Sequence, residues 1–117
     1  MKAERIILHY QREDDILYVT FGQEGRKGVG FNLHDNVLLR FDGQSGEPLG
    51  LTMIDYSRLK ALPTIPLNDA SNLPHDLAQT VKQILLSDPV RRFIEVDTTT
   101  FSQFSVVNPS MEKVIAA

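Results

Sequence analysis

Three histidines, His9, His34 and His75, are the side chains of this chain whose ordinary pKa puts proton exchange near neutrality. None lies within four residues of another, and none has a glutamate at a helical zinc-motif spacing. His9 and His34 fall on separate strand candidates, where folding could bring them together with Asp15 or Asp35. His9, His34 and Asp15 are therefore the candidate ligand-binding residues, fit for a metal-binding or small-molecule sensor or enzyme. Nothing in the spacing demands that they meet, and structural histidines are the favoured reading. No resident metal or cofactor is expected.

The other chemistry-bearing residues have ordinary explanations. Asp14 and Asp15 are adjacent, and neighbours on an extended chain point to opposite faces, so the two cannot line one pocket as an acid–base pair. Turn initiation explains them, with Asp15 accepting backbone N–H groups. Asp42-Gly43-Gln44-Ser45-Gly46-Glu47 lacks the alternating ligands and distal glutamate of a calcium loop and reads as a hairpin turn. The Gly22-to-Gly30 stretch, with Arg26 and Lys27, is glycine-rich and basic, but a strand rather than a helix follows it. A hairpin loop is favoured there over an anion cradle. No serine sits in a Gly-x-Ser-x-Gly elbow.

Composition narrows the function classes. The chain has 117 residues, enough for one domain. With no cysteine, disulfide frameworks, thiolate metal sites and cysteine nucleophiles are excluded. A net charge of −3 with mixed signs argues against nucleic-acid binding, although Tyr10, Tyr18, Phe21, Phe31 and Phe41 fall on successive strand candidates; core packing is their favoured role. No apolar stretch reaches membrane length, and the start does not read as a signal peptide, so a cytoplasmic location is expected.

Residues 6–55 read as short strands between turns: Ile6–Tyr10, Ile16–Phe21, Val29–Leu33, Val37–Phe41 and Leu49–Ile54. Connections this short favour hairpins over crossovers, hence an antiparallel β-meander of four to five strands. In Ile16–Phe21 both alternating sets are largely apolar, which predicts a central strand covered on both faces. Tyr56–Leu62 reads as a short helix stopped by Pro63, and Leu62–Pro74 as a loop. Pro74–Ser87 is the main helix, with Leu77, Ala78, Val81, Ile84 and Leu85 on one face and Asn72 as N-cap. Phe93–Val96 and Phe101–Val107 are further strands, expected to cover a sheet edge or cross to a second copy. Ser110–Ala117 reads as a short helical end. The fold class is thus α+β, a single domain over 1–117: a meander at 6–59 and a helix-plus-strand extension at 63–117.

Residues from about Leu8 to Leu59 resemble the DUF2283 family of small prokaryotic proteins of unknown function. The resemblance rests on Tyr10, Asp15-Ile16-Leu17-Tyr18-Val19, Phe41-Asp42 with its glycine turn, and Leu49-Gly50-Leu51-Thr52-Met53-Ile54-Asp55. Thr52 and Met53 stand where such proteins usually carry Glu and Ile. The resemblance implies a compact β-rich fold and an antitoxin-like partner of another small protein, with no catalytic residues to transfer. Together the readings predict a non-enzymatic protein-interaction module, homodimeric or paired with a small protein, with no nucleic acid or membrane as partner.

Overall fold

The computed structural model describes residues 5–22, 25–68 and 73–107. Eight strands and two helices follow the chain as β1 (Ile6–Gln11), β2 (Ile16–Phe21), β3 (Val29–His34), β4 (Val37–Phe41), β5 (Pro48–Ile54), α1 (Tyr56–Ala61), β6 (Ile65–Pro66), α2 (His75–Leu85), β7 (Ile94–Val96) and β8 (Gln103–Val106). A 3-10 turn, Val90–Arg92, precedes β7. This is the expected α+β architecture: a five-stranded antiparallel sheet, a smaller three-stranded sheet and one main helix.

The large sheet has strand order β1-β2-β5-β4-β3. The β3-β4-β5 meander and the β1-β2 hairpin join where β2 pairs with β5, so the central pair is not consecutive in sequence. Alternation then decides every face. Leu17, Val19 and Phe21 of β2 lie beside Met53 and Leu51 of β5, which in turn lie beside Val37 and Leu39 of β4. All are buried.

Onto that face pack Val81, Ile84 and Leu85 of α2, with Leu77 partly buried beside them. Phe93, Ile94, Val96 and Phe104 complete a single core, and the Phe21 and Phe93 rings meet at 6.0 Å between centroids. Among the described residues no polar or charged side chain is buried.

Four expectations change in the folded chain. The C-terminal strands neither extend the large sheet nor leave the molecule: β7 and β8 form a separate sheet of order β6-β8-β7. Its third strand is Ile65–Pro66, inside a segment that reads as loop, because Phe104 of β8 offers Ile65 a cross-strand partner that no local pattern reveals. Third, β2 is covered on one face only. Helix and small sheet stack on the same side, so Tyr18 remains 37% exposed. Pro74, rather than Asn72, stands at the α2 N-cap; Asn72 and the expected helical end at Ser110–Ala117 lie outside the described residues.

Candidate functional site

The residues singled out for ligand chemistry do not converge. His9 is on β1 and His34 ends β3, and these are the two outermost strands of the large sheet. Four strand spacings of ~4.8 Å separate them, about 19 Å. His9 stacks on Tyr18 at 6.0 Å on the uncovered face. His34 accepts the Asn36 backbone N–H through Nδ1 at 3.2 Å, a local turn contact. Among the described residues no three His, Asp or Glu side chains are grouped to hold a metal ion.

Asp15 is a structural tie. It sits in the left-handed region with φ 54°, closing the β1-β2 turn through its N–H on the Arg12 carbonyl. Its carboxylate accepts the Tyr10 hydroxyl at 2.6 Å, and the Ser57 hydroxyl and N–H at 2.9 and 3.1 Å. Its own carbonyl accepts the Tyr56 N–H at 2.9 Å. One residue thus pins the first hairpin to the start of α1, 42 residues along the chain. The Tyr10 hydrogen bond, helped by those from Ser57 and by the Lys60 charge, holds the carboxyl below its ordinary range against an opposing desolvation. Beside it, burial, and secondarily Tyr10, pushes the Tyr56 phenol up.

The glycine-rich stretch also has a local explanation. Arg26 bridges Glu47 at 2.8 Å and Asp42 at 3.5 Å, and its carbonyl accepts a hydrogen bond from Arg40. Asp42 accepts the Ser45 and Gln44 N–H groups, and these, with Arg26, lower its pKa. A Cβ on Gly28 would stand 2.5 Å from the Phe41 carbonyl oxygen, so glycine is needed there for close backbone approach.

The feature that stands apart is the outer face of the large sheet. Pairing arranges it in three cross-strand rows. His9, Tyr18, Thr52, Leu38 and Asn32 run edge to edge. Ile7, Thr20, Gly50, Arg40 and Gly30 lie on one side of that row, and Gln11, Ile16 and Ile54 on the other. Ile54 is 42% exposed, and Ile7, Ile16 and Leu38 are part-exposed. Within these rows Arg40 is the one full charge and no acid occurs, and no described element covers the face.

The sheet edges differ too. The Gly22 N–H donates to the directly opposite Arg5 carbonyl, so along β1 it is Ile6, Leu8 and Tyr10 that turn N–H and C=O away from β2. No described strand pairs with that edge. At β3, Asn68 covers the edge by donating its N–H to the Leu33 carbonyl and its side-chain amide to the Asn32 carbonyl, both at 2.8 Å.

Sequence reasoning missed the outer face. Its signal was the polar membership of the same-face positions, Gln11, Thr20, Asn32, Arg40 and Thr52, beside an otherwise apolar set. No family model, curated protein or solved structure matches this chain.

Proposed function

We propose that this chain is a non-enzymatic protein-interaction module of the cytoplasm that self-associates through the outer face of its five-stranded sheet. The observation that carries the reading is a contiguous, mostly uncharged face on which Ile7, Ile16, Tyr18, Leu38 and Ile54 stay in contact with solvent. Two such faces stack at about 10 Å, as sheets do in sandwiches. Five strands at ~4.8 Å by five residues at ~3.4 Å give a footprint of roughly 400 Å² per copy. Side-chain relief brings the pair near the lower bound of specific interfaces, about 1,000–1,200 Å², which suits a weak, reversible dimer. Sedimentation velocity across a concentration series tests it. A monomer–dimer equilibrium in the micromolar range is expected, and a strict monomer at millimolar concentration refutes it.

The open β1 edge favours a second reading, addition of a strand from a small protein partner, in line with the antitoxin-like role that the DUF2283 resemblance implies. Three consecutive outward-facing residues offer six backbone hydrogen-bonding groups, and β1 carries no Lys, Asp, Glu or Pro to blunt the edge. The residues behind the resemblance cluster on β2, on β5 and at the ends of β1 and β4. Leu8→Pro removes an N–H that faces the open edge and spares the β2 ladder. Capture of one small protein from the native host by the wild type, abolished by Leu8→Pro but not by Tyr18→Ser, supports strand addition; equal capture by all three rejects it.

A further inference from the structure

We infer that the groove between α2 and β3 is a binding site for a small organic monoanion, a carboxylate or sulfonate on a flat apolar body. The groove encloses 380 Å³, within the range of small-molecule sites. It lies on the core side of the sheet, away from the outer face, so it stands or falls independently of self-association.

Its lining mixes apolar and polar side chains. Phe31 of β3, Leu67 and Phe101 present aromatic and aliphatic surface. From α2, His75, Gln79 and Lys82 fall at helical spacing along one stripe, beside the apolar Ala78, Val81 and Leu85. Thr100 also lines the groove, its hydroxyl hydrogen-bonded to Asp97 at 3.3 Å and to Ser102 at 2.6 Å. Among the described residues a lysine, a histidine, the amides of Asn68 and Gln79 and a hydroxyl thus border the groove, and no carboxylate lines it.

Two described acids stand near the groove without lining it. Asp97, at the start of the turn bearing Thr100 and Phe101, directs its oxygens to the Thr99 N–H at 2.9 Å and the Thr100 hydroxyl at 3.3 Å. Asp76 lies on α2 beside His75 without lining the groove. Among the described residues the ion pairs are those of Arg26, which leaves the Lys82 ammonium with the Phe101 ring, 5.7 Å from its centroid. Phe101 itself has φ 52°, a left-handed conformation unusual for a bulky side chain, held by its N–H on the Asp97 carbonyl at 2.8 Å. That turn keeps the ring at the mouth, facing Lys82.

An anionic headgroup therefore meets Lys82 and Gln79, while its body lies between Phe31 and Phe101. A neutral molecule of the same shape gains the apolar contact alone. A cation is repelled.

Amide chemical-shift titration of the intact chain tests the site, with 3-phenylpropionate and octanoate as aromatic and aliphatic anions and 3-phenylpropanol as the neutral control. Saturable shifts at Phe31, Lys82, Thr100 and Phe101 are expected for 3-phenylpropionate. The alcohol should bind on the order of tenfold more weakly, the factor one charge-assisted hydrogen bond supplies. Stronger binding of phenylpropionate than of octanoate supports the flat body, and the reverse overturns it. Lys82→Met and Gln79→Glu, both at exposed positions, should each bring the anion down to the affinity of the alcohol. Tyr18→Ser should leave binding unchanged. Equal affinity for acid and alcohol, shifts confined to other residues, or no saturation by about 10 mM, weaker than any specific site, overturns the assignment.

Discussion

Replacing Tyr18 by serine removes the tyrosine of the outer face without touching the core. Tyr18 stands between His9 and Thr52 in the row from His9 to Asn32 and is 37% exposed. For a tyrosine of roughly 200 Å², that leaves about 75 Å² to bury, worth about 2 kcal/mol at ~25 cal/mol per Å². In a twofold dimer the residue counts on both sides, giving about 4 kcal/mol, several hundredfold in Kd. Association also orders side chains and leaves polar groups imperfectly paired, so area sets the upper figure and about tenfold the lower. Sedimentation equilibrium of wild type and Tyr18→Ser at matched concentrations reads the change directly. The fold should survive: the lost stacking on His9 amounts to about 1 kcal/mol, a few degrees in Tm. A Tyr18→Ser dimer within twofold of the wild-type Kd, with intact circular dichroism, refutes the outer face as the interface.

Other consequences are equally direct. Asp15 has a lowered folded-state pKa, so its contribution to stability is complete above the ordinary carboxyl value of 3.8 and disappears as pH falls through the lower folded value. Urea titrations of wild type and Asp15→Asn should therefore differ at neutral pH and converge in acid; a gap that persists at the lowest pH contradicts the hydrogen-bonded tie. Leu39, fully buried between β3 and β5, should cost about 2–5 kcal/mol when replaced by alanine, read as a lower urea midpoint. Gly28→Ala drives a methyl into the Phe41 carbonyl oxygen and should cost about 1–3 kcal/mol, whereas a stability-neutral outcome would show that the loop yields freely.

Much of this molecule was written locally. Alternating apolar residues and turn formers marked all five strands of the large sheet, because strand formation depends on side-chain period and on residues such as Asp42 and Gly43 that act over a few positions. The stripe of Val81, Ile84 and Leu85 marked α2 for the same reason. Composition removed cysteine chemistry before any coordinate was needed. Pairing across the chain was another matter. That β2 lies beside β5, that Ile65 finds Phe104, and that His9 and His34 end up on opposite edges depend on contacts between distant residues, for which spacing holds no information. The side on which helix and small sheet stack is a choice of tertiary packing alone. It turned one apolar set of β2 into core and left the other, Ile16 and Tyr18, facing solvent, since a sheet wedded to a single covering layer can bury only one of its two faces.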